Sequence, residues 1–210
     1  MKSNKLVNFR FSKKLIEYDY SINFMKKHIN EMKKNNADEL LWFLEHHSIF
    51  TAGTSAKKED QNIINKNQIR YVGRGGQWTW HGPGQRVIYI MLDLKRRKRD
   101  VKEFINCLEK WLISTLSFFS LDVILRDNYP GVWIRKNNDY YKIASIGLRI
   151  SNWITWHGIS INYEPDLKYF DQIIPCGVRN SFVTSLKEQN IKISINELDE
   201  VLKEKFFMFF

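Results

Sequence analysis

Twelve residues, Arg74-Gly-Gly-Gln-Trp-Thr-Trp-His-Gly-Pro-Gly-Gln85, contain four glycines, a proline, two glutamines and a histidine. Neither a helix nor a buried strand asks for that density of glycine. Glycine has no Cβ, so it accepts positive φ and leaves its N–H and C=O groups open to a ligand, while Pro83 fixes its own φ and stiffens the turn. A plain glycine-rich hairpin loop needs neither the two tryptophans nor Gln77 and His81 set between the glycines. Strand-like runs bound the segment at Ile69–Val72 and at Arg86–Asp93, the second rich in β-branched and apolar residues. The pattern predicts a loop held at both ends and shaped to let a ligand approach its backbone.

Elsewhere the periodicity predicts a helix over Ser12–Lys34, where Leu15, Tyr18, Ile22, Met25, Ile29 and Met32 recur at three and four and Ser12 is placed to cap. A second helix is expected over Val101–Phe119, and a third over Ile195–Phe206, opened by the capping-box pair Ser194 and Glu197. Further strands are expected at Leu40–Leu44, Val123–Leu125, Gly131–Ile134, Tyr141–Ile150 and Trp153–Asn162, with Lys136–Asp139 as a hairpin turn. Hairpin-linked strands with a few long helices indicate an α+β fold, a mixed and largely antiparallel sheet packed with helices. A chain of 210 residues with 43% apolar residues fits one domain spanning 1–210.

No run approaches the roughly 18 apolar residues that a membrane span needs, and no apolar stretch follows the charged start Met1-Lys-Ser-Asn-Lys. The expectation is a cytoplasmic, monomeric protein that does not enter membranes. The two cysteines, Cys107 and Cys176, lie far apart without CxxC spacing, which gives neither a disulfide framework nor a zinc site. Cys107 falls on the flank of the second helix. His81 and His157 each precede a glycine, but without HxH or HExxH spacing they read as hydrogen-bonding or substrate-orienting groups and not as metal ligands. The net charge of +10 admits a nucleic acid, an anionic surface or an acidic protein as partner. The run Lys95-Arg-Arg-Lys-Arg99 directly precedes a helix start, where the dipole disfavours cations, so it is expected to serve an acidic docking partner. No nucleic-acid motif accompanies the charge, and a nucleic-acid-binding module is the remote alternative.

Three more blocks follow in order: Lys142-Ile-Ala-Ser-Ile-Gly-Leu-Arg149, Trp153-Ile-Thr-Trp-His157-Gly-Ile-Ser160-Ile-Asn162, and Ile174-Pro-Cys176-Gly177. Together with Arg74–Gln85 and Glu45–Gly53 they resemble the signature blocks of the lipoyl(octanoyl) transferases, over roughly residues 39–186. The resemblance implies the fold shared by biotin and lipoate protein ligases. It also implies transfer of an octanoyl group from octanoyl-acyl carrier protein to a lysine of lipoyl domains, those of 2-oxoacid dehydrogenase subunits and the glycine cleavage H protein. No cofactor is implied.

Transfer from a thioester to an amine is eased by a nucleophile that leaves as readily as the donor thiolate, and Cys176, flanked by Pro175 and Gly177, meets that need. Lys142 alone reads as an ordinary strand lysine; the resemblance makes it the base of a Cys/Lys dyad. Gly147 and Gly177 are placed to offer oxyanion N–H groups. By resemblance the acyl group is bound by Arg74, Gly75, Gly76, Gln77, Trp78, Thr79, Trp80 and His81, by Ser145, Ile146 and Gly147, and by Gly158, Ile159 and Ser160. The chain departs from the family pattern at Trp78, Trp80 and His47, and bulkier indoles at the first two are expected to narrow the acyl pocket. The competing reading is an ATP-dependent lipoate or biotin ligase of the same fold, which activates a free acid as an adenylate and needs no cysteine.

Overall fold

A computed structural model describes residues 7–61, 68–174 and 182–210. Among the described residues ten strands and three α-helices run in the order β1 (Val7–Phe11), α1 (Tyr18–Lys33), β2 (Glu39–Leu44), β3 (Ile49–Ala52), β4 (Ile69–Tyr71), β5 (Trp78–His81), β6 (Gln85–Met91), α2 (Val101–Phe118), β7 (Gly131–Lys136), β8 (Asp139–Ser151), β9 (Ile154–Asn162), β10 (Phe182–Val183) and α3 (Ile195–Phe206). Seven strands form one sheet in the order β1-β2-β6-β9-β8-β10, with β7 also paired to β8; β4-β3-β5 form a small second sheet. The β1–β2, β8–β10 and β3–β4 pairings are parallel and the rest antiparallel, so the sheet is mixed and mostly antiparallel, as the sequence pattern predicts.

Period-two alternation divides the core between the two faces of the large sheet. Leu41 and Phe43 of β2 and Ile88 and Ile90 of β6 face a layer formed by α2 and α3, through Leu108, Trp111, Leu112, Leu198 and Leu202. Their neighbours Leu40, Trp42, Leu44, Val87, Tyr89 and Met91 face Met25, Ile29 and Met32 of α1. Both central strands are therefore apolar on both faces, over Leu40–Leu44 and Val87–Met91. None of the helices among the described residues is long and apolar enough to cross a membrane.

Two expected helix starts are confirmed and one is corrected. The Ser194–Glu197 capping box opens α3, and Asp100 accepts from the Glu103 N–H at the start of α2. The first helix begins at Tyr18, not Ser12, and carries no side-chain cap. Ser12 donates its N–H to the Phe43 carbonyl and accepts from Trp42 Nε1, and Ile16 bridges His46. The segment before Tyr18 is thus spent on the edge of β2, where sheet pairing outweighs the helical spacing of Leu15. The strand expected at Val123–Leu125 is reduced to a single bridge between Ile124 and Trp133. The turn at Lys136–Asp139 is present, with Asn137 at φ +57°.

Candidate active site

The glycine-rich segment is not all loop: Trp78–His81 forms β5 and pairs with β3. Trp78 and Trp80 sink into a small core with Phe50, Ala52, Phe170 and Ile173. Trp80 stacks on Tyr169 and donates to Ser48 Oγ, and Trp78 donates to the Lys57 carbonyl. The indoles fasten the segment to the protein. Its other end is tied by backbone bonds from Gly53, Thr54 and Ser55 to the carbonyls of Gln77, Arg74 and Gly76, and from the Gly75 N–H to the Leu148 carbonyl of β8. Arg74 lies folded inside, its guanidinium donating to the carbonyls of Thr51, Gly75 and Gln77 and to Thr51 Oγ1. That buried cation braces the segment from within.

Two adjacent recesses with shared walls open against this segment. The narrow one, about 60 Å³, has room for only a few water-sized groups and is lined by Tyr18, Arg74, Gly76, Gln77, Trp78, Thr79, His81, Val87, Tyr89, Ser145, Ile146, Gly147, His157, Gly158, Ile159 and Ser160. The wide one, about 510 Å³, shares Gly76, Gln77, Ile146 and Gly147 with it and adds Gly75, Val101, Ile105, Tyr129, Pro130, Lys142 and Leu148. Of the acyl-binding residues named from the sequence, Trp80 alone borders neither recess, because its indole fills the core behind β5. Trp80 therefore has no wall through which to narrow the pocket, whereas Trp78 does.

The rings of Tyr18, His81, Tyr89 and His157 line the narrow cavity, and that of His46 packs behind them against Tyr18, His81 and Tyr89. His46 donates from Nδ1 to the Ile16 carbonyl, so its Nε2 accepts from Tyr89 Oη at 2.7 Å. His81 Nδ1 donates to Gln85 Oε1 at 2.6 Å; Gln85 Nε2 donates to Asn162 Oδ1, and Asn162 Nδ2 donates to the Thr184 carbonyl. That relay of amides fixes the His81 tautomer and leaves its Nε2 lone pair as an acceptor. Burial pulls the pKa of His46 down to about 4 and that of His81 to about 3, with the neighbouring His46 adding to the effect on His81. Burial, then the charges of Arg74 and Arg149, lowers His157 to about 3. Burial pushes Tyr18 up to about 12 and Tyr89 well above the usual phenol range. At neutral pH all five rings are uncharged, as an apolar ligand requires.

Lys142 stands at the wide end, on β8, between Trp133 of β7 and Val183 of β10. It is 4% exposed, donates from Nζ to the Pro130 carbonyl at 2.9 Å and lies 4.8 Å from the Trp133 ring centroid. Gly131, at φ +120°, makes room for it: a Cβ there would lie 2.9 Å from Lys142 Cε and 2.5 Å from the Ala144 carbonyl oxygen. Cys176 and Gly177 fall outside the described residues. The described chain resumes at Phe182, paired with Tyr141, and the next pair is Val183 with Lys142. Cys107 is half-buried on α2, and burial followed by the Glu103 charge raises its pKa. Among the described residues no group of three or more His, Cys, Asp or Glu side chains is arranged to hold a metal.

The fold defines the class: it is that of lipoate and biotin protein ligase catalytic domains. A bipartite lipoate protein ligase from Thermoplasma acidophilum, solved as part of an archaeal lipoylation system with its E2 lipoyl domain, superposes with a TM-score of 0.71 at 13% identity, over 97% of this chain and 84% of that one. The sequence model of the lipoyl protein ligase A/B catalytic domain matches residues 17–207. The octanoyltransferase of Bartonella quintana is 40% identical over 216 residues, covering 99% of this chain and 88% of its own length; that of the Wolbachia of Brugia malayi is 42% identical over 207, covering 98% and 100%. The chain belongs to the octanoyltransferases of that family, which are acyltransferase enzymes acting in protein lipoylation.

Tyr18, His46, Tyr89 and Gly131 escape the sequence reading, because Tyr18 and Tyr89 occupy apolar positions of a helix and a strand and nothing marks them as cavity walls. The basic run is also revised. Arg97 forms a bidentate pair with buried Glu39, Arg96 lies 3.7 Å from Asp93 and Lys98 lies 3.8 Å from Asp100. Arg97 is structural, and Lys95 and Arg99 are the members without an ion-pair partner among the described residues.

Proposed function

We propose that this protein moves an octanoyl group from octanoyl-acyl carrier protein to a lysine of lipoyl domains through a thioester on Cys176, with Lys142 as the base. The observation that carries the reading is a buried lysine in the wall of a wide basin that shares four wall residues with a narrow, mostly apolar cavity whose histidine and tyrosine rings are neutral. Lys142 Nζ takes the Cys176 thiol proton; the thiolate adds to the donor carbonyl, and the carrier's thiolate leaves with that proton. In the second half, the acceptor amine attacks the Cys176 thioester, Lys142 takes the amine proton and the Cys176 thiolate leaves. The Pro130 carbonyl and the Trp133 face hold Lys142 Nζ in position. Each methylene buried in the cavity adds about 0.8 kcal/mol of binding without any charge.

The experiment supplies octanoyl-acyl carrier protein and a lipoyl domain without ATP and measures the octanoyl amide on the domain. Amide formation is expected. An amide that forms only from free octanoate with ATP would make the protein an adenylating ligase.

A further inference from the structure

Beyond the narrow cavity lies a third recess of about 350 Å³, and Tyr18 and His157 are the two residues that border both. The three recesses therefore lie in series: the Lys142 basin, the narrow cavity, the Tyr18–His157 partition and the outer recess. The outer recess is charged, with Asp19, Lys26, Arg70 and Arg149 in its walls. A methylene that passed the partition would leave apolar surroundings for a wet, ionic one and gain none of the burial that favours it inside.

Both members of the partition are held in place. Tyr18 opens α1, accepts from Ser21 Oγ on its carbonyl and packs its ring 5.2 Å from His46 and parallel to His81. Its hydroxyl is buried and has no hydrogen-bond partner among the described residues, so its contribution is bulk. His157 sits within β9 at φ +58°, a backbone region that a residue with a side chain occupies only when its surroundings impose it. Its ring is clasped between Trp156, at 4.8 Å, and Tyr89, at 6.2 Å.

We propose that Tyr18 and His157 are the end wall of the acyl passage and set the longest chain that this enzyme transfers efficiently. This rests on the reading above, in which the acyl carbonyl lies at Lys142 and the tail runs into the narrow cavity. Both residues touch the tail and neither takes part in bond making.

The test measures kcat/KM for acyl-pantetheine thioesters from hexanoyl to hexadecanoyl in the unaltered enzyme and in Tyr18→Ala, His157→Gly and Tyr18→Phe, with thermal unfolding recorded for each. The two opening substitutions lie on different elements, so misfolding of one leaves the other as the test, and glycine suits the backbone at position 157. The dodecanoyl-to-octanoyl ratio is expected to rise about tenfold or more in both, the discrimination that a methylene or two commands in a closed pocket. In Tyr18→Phe, which removes only the hydroxyl, the ratio should stay where it was. An unchanged ratio in folded Tyr18→Ala and His157→Gly, or an equal rise in Tyr18→Phe, overturns the proposal. If the unaltered protein transfers no acyl group of any length, the underlying reading fails first and takes this one with it.

Discussion

At the tail end of the passage, Tyr18, His46, His81, Tyr89 and His157 are buried and interlocked, and hydrogen bonds that reach as far as Thr184 fix the tautomers of His46 and His81. At the head end, Lys142 overlooks a basin of about 510 Å³. On the proposed reading, the tail end is a fixed mould that measures an apolar chain, and the head end is where a thioester, a thiol and an incoming amine meet in succession. Binding energy would then be collected where the walls are fixed, and chemistry would take place where reactants are exchanged. Substitutions at the head should therefore cost rate, and perturbations at the tail should cost stability and selectivity.

The largest expected effect is at the head. Lys142→Ala should slow acylation in single-turnover measurements by about 10²–10⁴-fold, the usual contribution of a positioned base, while the protein remains folded. Lys142→Arg should recover little, since arginine keeps the charge but does not release a proton near neutrality. Near-normal acylation in the arginine variant would reduce the role of Lys142 to its charge.

The tail end should show itself in the pH dependence of unfolding. His46, His81 and His157 have folded pKa values of about 4, 3 and 3 against an ordinary 6.5, so below pH 6.5 the unfolded chain binds protons that the folded one refuses. Stability is full above that pH and falls as pH drops toward 4, at up to about 1.4 kcal/mol per pH unit for each histidine. Urea unfolding between pH 7 and about pH 4 should show this slope, and His157→Gln should flatten it by one histidine's share. A slope unaffected by that substitution would mean that the imidazole at 157 is free to ionise in the folded protein.

Four of the five tail-end residues, His81, His157, Tyr18 and Tyr89, differ in how legible they were in the sequence. His81 stood out because a histidine among glycines has no packing explanation, and His157 because it opens a His-Gly block. Tyr18 and Tyr89 were hidden, since a tyrosine on an apolar stripe reads as core and only the tertiary fold shows which ring borders a cavity. The large strands and all three long helices followed from periodicity, but β1, β3, β5 and β10 did not: β1, β3 and β10 are short, and the glycines around β5 mask its alternation. Ser12 misled because a good capping residue was used instead by Trp42. At the head, Lys142 was picked out only by family resemblance, and its burial against Trp133 has no local signal.

An intermediate effect should come from Gly131, the residue that gives Lys142 its space. Gly131→Ala places a Cβ against Lys142 and the Ala144 carbonyl at a backbone angle few side chains adopt, and should destabilise by about 1–3 kcal/mol while also slowing acylation. Lost stability with unchanged acylation would separate the lysine's position from that turn. The smallest effect belongs to the outer surface. Lys95→Glu with Arg99→Glu should lower kcat/KM for a carrier-protein donor at low salt, less at high salt, and leave a small octanoyl thioester unaffected. Arg97→Glu should instead destabilise the fold, because it leaves the carboxylate of Glu39 buried against a like charge.

The most direct test of the account is the intact mass of the protein after incubation with octanoyl-acyl carrier protein in the absence of ATP. The unaltered enzyme and Cys107→Ala should each gain one octanoyl group, and Cys176→Ala should gain none. An adduct that persists in Cys176→Ala and maps to Cys107 would contradict the assignment of the head of the passage to Lys142 and Cys176.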